Sequence, residues 1–398
     1  MNNIYKVVIV GGGASGLFCA LELLRSKNRI LGSDILILEK NDRVGKKLVA
    51  TGNGQGNLTN QNVGIENYHG DKAFLQAFLS NLKDINIQSY LADLGIYLTT
   101  DKDGKQYPLS KQANAFLDIV RGYLMKNSVN VKVGEQVLKT KKSGKNFIVS
   151  TDKGEYFAQN LVLAFGGKAG KQYGTDGSSY QLAQSYGHDL TPLYPSLVQL
   201  KTNPQEVKGL KGLKERVRAS ALIDGKVVKE SVGEVLFTEY GISGNAIFSL
   251  SGYLTDAKNP AVNLEFLPDY TIDQVEDMLK KREYIDYISK EDTLIGLINK
   301  KIGQAIMKKC ANASPKEVAK ALKNFTLKIT GNLGFNYAQV TKGGVKIDQI
   351  DKNTMMSKLV KDLYVVGEAL DVDGDCGGYN LTFAFVSGIV CAKNIKEN

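Results

Sequence analysis

Six residues near the start of the chain carry the first legible chemistry. The run Gly11-Gly12-Gly13-Ala14-Ser15-Gly16 follows a β-branched stretch at 5–10 and opens a segment whose Leu17, Ala20, Leu21 and Leu24 recur at helical spacing to about Lys27. Gly11 permits a tight turn, Gly13 lets backbone approach a pyrophosphate, and Gly16 lets helix and strand pack closely. The helix start, with Ala14 and Ser15 in its first turn, offers amide donors and a positive dipole end to phosphates. A second strand-like run at 34–38 ends in Glu39, placed to accept from ribose hydroxyls. Strand, glycine turn, helix, strand and terminal acid occur in the order a dinucleotide site requires. No arginine directly follows Glu39 to accommodate a 2′-phosphate, which leaves FAD or NAD.

Other chemistries are poorly provided for. The four cysteines, Cys19, Cys310, Cys376 and Cys391, are far apart with no CxxC pair, so neither a zinc site nor a disulfide framework is written in the sequence, and a reducing compartment fits. There is no metal constellation and no Ser-His-Asp pattern. Of the two histidines, His69 lies in a polar stretch expected to be a surface loop, and His188, after Gly187, is expected to be structural.

The residues after Glu39 separate the two cofactors. Glu39-Lys40, Gly45-Lys46-Lys47, Thr51-Gly52-Asn53-Gly54 and Asn57-Leu58-Thr59-Asn60 together resemble the YhiN-like or BaiN-like flavoprotein family. The resemblance continues at 163–168, 174–177, 187–188, 233–244 and 340–345, and closes with Gly367-Glu368, Leu370-Asp371 and Gly377-Gly378-Tyr379-Asn380-Leu381. It implies FAD. A glycine-rich loop carrying Lys46 and Lys47 beside a pyrophosphate site reads as an anion cradle, and Thr51, Gly52 and Asn53 can hold the ribityl chain. By resemblance, Gly367, Glu368, Gly378, Tyr379, Asn380 and Leu381 contact FAD, with the helix that opens near Asn380 directing its positive end to the flavin N1 and O2 edge. Lys40, Val137, Gly166, Gly167 and Asp371 complete the candidate cofactor set. One departure stands out: Gln55-Gly56 occupies the place where relatives carry Arg-Cys. Cys376 is then the thiol nearest these motifs and the candidate catalytic acid for a carbon that receives hydride.

The elements that must position these residues follow from motif order. Because flavin motifs occur at both ends, the fold class is α/β: a discontinuous Rossmann-type FAD-binding domain (1–195 and 336–398) with a β-rich insertion (196–270) and a helical, basic subdomain (271–335). Strand-like runs fall at 196–200, 217–223, 234–237, 262–266 and 362–366, and the last helix runs to about 395. No second GxGxxG occurs, so NAD(P)H, expected as the reductant, must dock transiently, or another donor is used.

Length and charge bound the rest. With 398 residues, 43% of them hydrophobic and 23% charged, the chain is expected to be a folded, soluble protein. No secretory leader precedes the first strand, and the longest apolar stretch, 381–392, is too short to span a bilayer, so a cytoplasmic location without membrane contact is expected. Fifty-one basic and 41 acidic residues give +10. Lys300, Lys301, Lys308, Lys309 and Lys316, with Lys320, Lys323 and Lys328, concentrate it against one acid, Glu317; these are candidate RNA phosphate contacts, with Tyr284 and Tyr287 as candidate stacking residues. The alternative is a solvated lysine-rich face. By resemblance, the leading activity is reduction of a uridine in 23S rRNA to dihydrouridine, with ribosomal RNA as partner. Reduction of small enones of the bile-acid kind, amine oxidation, and a non-enzymatic flavin protein are the alternatives.

Overall fold

The computed structural model describes residues 4–26 and 30–396; the first three residues and the expected helix end at Lys27 lie outside the described residues. β1 (Ile4–Val10) passes through the glycine turn into α1 (Ala14–Arg25), and β2 (Ile35–Glu39) returns beside β1. The two strands pair in parallel from Val7 opposite Ile35 to Val10 opposite Leu38, as a right-handed crossover requires. Both read as continuous apolar runs rather than alternating ones, because a parallel sheet is covered on both faces. Val7, Val8, Ile9 and residues 35–37 are accordingly fully buried.

The seven-stranded sheet continues to Asn130–Val133 beyond β2 and to Glu155–Leu163 beyond β1. Glu155–Leu163 then forks: its first four residues pair antiparallel with Asn146–Thr151, while 161–163 pair in parallel with Leu363–Val365. The strand at 363–365 therefore ends level with β1, which brings Gly367 to the glycine turn. The closing helix, Tyr379–Asn394, is buried throughout 382–392. Phe385 stacks on Phe18 of α1 with ring centres 3.9 Å apart, and at Gly388 a Cβ would lie 2.3 Å from the Ser15 carbonyl. That all-round burial explains the longest apolar stretch of the sequence; among the described residues no helix is long and apolar enough to cross a membrane.

The chain divides into two units, 1–193 with 340–398, and 194–339. The second is built on a closed barrel of six strands in the order Leu200–Thr202, Gly241–Ser243, Lys226–Phe237, Lys214–Ile223, Pro260–Phe266, Phe325–Asn332. Three sequence expectations are corrected here. The separate helical subdomain at 271–335 does not hold as a unit, because its last strand, Phe325–Asn332, pairs with Pro260–Phe266 and with Leu200–Thr202 to close the barrel. Within the stretch expected to be β-rich lies a helix, Asn245–Leu254, whose Ala246, Ile247, Leu250 and Leu254 are buried. The run at 196–200 is broken by Leu197, whose φ of 51° is left-handed. The helices Ile272–Arg282, Lys300–Lys309 and Pro315–Lys323 start at capping residues Thr271, Asn299 and Ser314.

Candidate functional site

The glycine turn is built by exclusion. Gly11 has φ +108°, and a Cβ there would sit 2.4 Å from the Ala164 carbonyl; at Gly16 it would sit 2.1 Å from that of Gly11. At Gly13 nothing lies within 4 Å of the Cβ position, so the start of α1 faces open space. No side chain caps α1, which leaves its first amides available to an anion. Gly367, φ +70°, closes the turn from the other side, where a Cβ would lie 2.5 Å from Ser15 Oγ. Glu39, nearly buried at the end of β2, accepts from Gly12 N at 2.9 Å and from Asn41 N and Nδ2 at 2.8 and 2.7 Å. Gly134 N and Glu135 N donate to the carbonyls of Asn41 and Glu39, which fixes the segment leading to Val137 beside the same strand end. An uncapped helix start, an open Gly13 and a held carboxylate together fit the pyrophosphate and ribose of a dinucleotide.

The lysines stand differently from the open anion cradle that the spacing suggested. Lys47 Nζ donates to Glu368 Oε2 at 2.7 Å and to the Ala169 carbonyl at 3.2 Å. Glu368 Oε1 accepts from Thr341 N, and Thr341 Oγ1 accepts from the amides of Lys168 and Ala169. Lys47 and Glu368 therefore clamp the turn that holds Gly166 and Gly167. Lys46 pairs with Asp42 at 3.4 Å and Lys40 with Asp176 at 3.6 Å, so these charges too are partly balanced. Thr51 Oγ1 donates to the Leu48 carbonyl, and Gly52 and Asn53 follow with φ of 57° and 54°.

The start of the closing helix is held as a rigid loop. Asn380 donates to the Gly374 carbonyl at 2.7 Å and accepts from Gly374 N at 2.8 Å; Tyr68 Oη donates to the Tyr379 carbonyl, and Asn60 Nδ2 to that of Gly377. At Gly378 a Cβ would lie 2.5 Å from the Thr59 carbonyl. Leu381, in the first turn of this helix, is partly buried. His69, expected on a surface loop, is instead in a short strand paired with Asp373–Gly374; its Nδ1 lies 3.1 Å from Asp373 Oδ2 and its Nε2 3.9 Å from Asp375 Oδ1. Both aspartates are buried, so an imidazole between two carboxylates secures the loop. Spacing could not reveal this, since Asp373 is 304 positions away. Cys376 follows directly; burial lifts its thiol above the ordinary range, against a smaller opposing effect of Lys105. Burial likewise raises the Asp371 carboxyl. His188 is buried against Ser357 Oγ at 2.9 Å, and burial lowers its basicity.

In the second unit the lysines separate by environment. Lys323 is buried and donates to Glu265 Oε1 and to the carbonyls of Leu267 and Tyr270, so it is removed from the candidate RNA surface. Lys300 pairs with Asp292 at 3.5 Å, and Lys309 lies over the Phe325 ring, 4.6 Å from its centre. Lys301, Lys308 and Lys316 are exposed. Tyr284 and Tyr287 are 89% and 85% exposed.

The family model described as the HI0933-like protein Rossmann domain matches residues 5–394. The chain belongs to the HI0933-like family. Members of this flavin-dependent oxidoreductase family similar to the chain include a 3-dehydro-bile acid delta(4,6)-reductase of Clostridium scindens, 33% identical over 98% of this chain and 99% of the relative. Ribosomal RNA dihydrouridine synthases of Haemophilus influenzae and Escherichia coli are 26% and 24% identical, over 100% of both chains and 98% of both chains respectively. Among solved structures, a 3-ketosteroid-delta4-(5alpha)-dehydrogenase of Rhodococcus jostii aligns with a TM-score of 0.54 at 13% identity, over 100% of this chain and 98% of the other, a likeness of fold. The HI0933-like family assignment agrees with the Rossmann architecture of the first unit.

Proposed function

We propose that this family member reduces a carbon–carbon double bond conjugated to a carbonyl, and that its substrate is a uridine of 23S ribosomal RNA. Both named reactions among its relatives share that chemistry: a 3-dehydro-bile acid Δ4,6 system is conjugated to its ketone, and uracil C5=C6 is conjugated to the C4 carbonyl. The observation that favours RNA is the pair of almost fully exposed tyrosines, Tyr284 and Tyr287, in the unit that also exposes Lys301, Lys308 and Lys316. An unpaired base stacks on such rings while lysines meet phosphates. A small enone is the second reading, favoured by the 33% identity to the bile-acid reductase.

FAD supplies hydride chemistry when bound. The start of α1, Gly13 and Gly367 would hold its pyrophosphate, Glu39 its ribose, and the segment at Val137 its adenine end. The loop at 374–380 would direct the amide end of the closing helix to a bound flavin, where its positive dipole end would favour negative charge. Cys376, whose thiol burial raises above its ordinary range, is the proposed donor of the proton that completes saturation of the double bond. A nicotinamide dinucleotide, docking transiently, is the proposed reductant. Cys376→Ala is expected to lower kcat by about 10²- to 10⁴-fold with flavin content unchanged. Near-normal turnover would remove Cys376 from this role. The substrate assignment is tested by presenting unmodified rRNA and a conjugated steroid ketone in parallel.

A further inference from the structure

A polar groove of about 240 Å³ lies in the first unit along the short strand Thr59–Asn60. Its floor is the antiparallel pairing of Thr59 with Gln106 and Asn60 with Lys105; its wall is the junction of the helices Lys72–Ile85 and Ile87–Ala92. At that junction Asn86 has φ +46°, and its Oδ1 caps Ser89 N. Five carboxamides line the groove, from Asn60, Gln61, Asn86, Gln88 and Gln106, together with Lys83 and the apolar Val63, Leu82 and Ile87, and no carboxylate.

Their engagement divides them. Asn60 and Gln106 are buried and spent on the fold: Asn60 Nδ2 donates to the Gly377 carbonyl and Gln106 Nε2 to Thr100 Oγ1. The side chains of Gln61, Lys83 and Gln88 have no partner among the described residues. A carboxamide offers a donor pair and an acceptor side by side, the complement of the alternating donor and acceptor edge of a nucleobase. An ammonium without a neighbouring acid in the groove complements a phosphate. Neither group suits an apolar steroid skeleton, whose burial would leave them unpaired.

We infer that this groove is a subsite for one nucleotide of an RNA substrate, its base read by Gln61 and Gln88 and its phosphate met by Lys83. The inference rests on the RNA reading above. Through Asn60 and the hydrogen bond between Thr59 Oγ1 and Thr382 Oγ1 (2.7 Å), the groove shares its floor with the supports of the closing helix, so a nucleotide held there lies on the same framework as the reaction site.

The test uses the FAD-loaded full chain and titration calorimetry with UMP, with inorganic phosphate as a second titrant. The wild type is expected to bind UMP more tightly than phosphate, and Gln88→Leu and Lys83→Glu to weaken UMP binding at least tenfold; both positions are exposed, so folding and flavin content are expected to be retained. Lys102→Glu, outside the groove, serves as the charge control and is expected to bind UMP as the wild type does. Absence of UMP binding, equal binding of phosphate and UMP, or unchanged binding in Gln88→Leu would overturn the subsite. Dihydrouridine formation by the same preparations separates the two claims. If the wild type modifies rRNA and Lys83→Glu and Gln88→Leu do so with unchanged KM, the subsite fails and the RNA reading stands. If the wild type forms no dihydrouridine, the RNA reading fails, whatever UMP does.

Discussion

Gly16 and Gly367 are the residues at which a single methyl group should be decisive. An added Cβ at Gly16 would lie 2.1 Å from backbone oxygen, and the positive φ of Gly367 strains any other residue. Gly16→Ala is therefore expected to yield protein with strongly reduced flavin, read from visible absorbance per chain; full flavin occupancy would contradict the assigned pyrophosphate turn. His188 gives a pH prediction. Its basicity is lowered by burial, so the unfolded chain binds a proton that the folded chain refuses. Stability is then fully present above the unfolded value of about 6.5 and falls as the pH drops through it. Urea midpoints measured from pH 7.5 to 5.5 should decline, and His188→Gln should flatten part of that slope. The glycine turn could be read from sequence because conformational freedom and lack of a side chain are properties of one residue. The clasp of His69 by Asp373 and Asp375 could not, because it exists only once strands more than 300 positions apart are paired.

Elements were legible where a single local signal governs them. The β-α-β start and the closing helix declare themselves, the first through the glycine turn and the helical spacing after it, the second through a Gly-Gly turn ahead of a long apolar run. The barrel did not, because the strand at 325–332 alternates in polarity like any edge and only its partners reveal closure; the helix at 245–254 was hidden by its short length among strand-like runs. Two variants test this unit. Ser314→Ala removes the cap of Pro315–Lys323 and should cost about 1 kcal/mol. Lys323→Ala leaves Glu265 and two carbonyls without their buried donor, and chemical denaturation should show a loss of about 2–3 kcal/mol, whereas a change below about 0.5 kcal/mol would return Lys323 to the surface set.

At the scale of the whole molecule, the +10 charge is either a footprint for RNA or an unselective property of a lysine-rich chain. Reversing Lys301, Lys308 and Lys316 to Glu separates these: binding to an rRNA fragment should weaken, and the slope of log affinity against log salt should fall by about 1 for each phosphate that is no longer neutralised. A small-molecule reductase would tolerate the reversals with unchanged turnover. The most direct measurement is mass spectrometry of large-subunit rRNA lacking the modification, after anaerobic incubation with the FAD-loaded protein and excess NAD(P)H. New dihydrouridine at one position is the expected result. Reduction of a conjugated steroid ketone under the same conditions, with the rRNA unchanged, would contradict the RNA assignment and make this chain a small-molecule enone reductase.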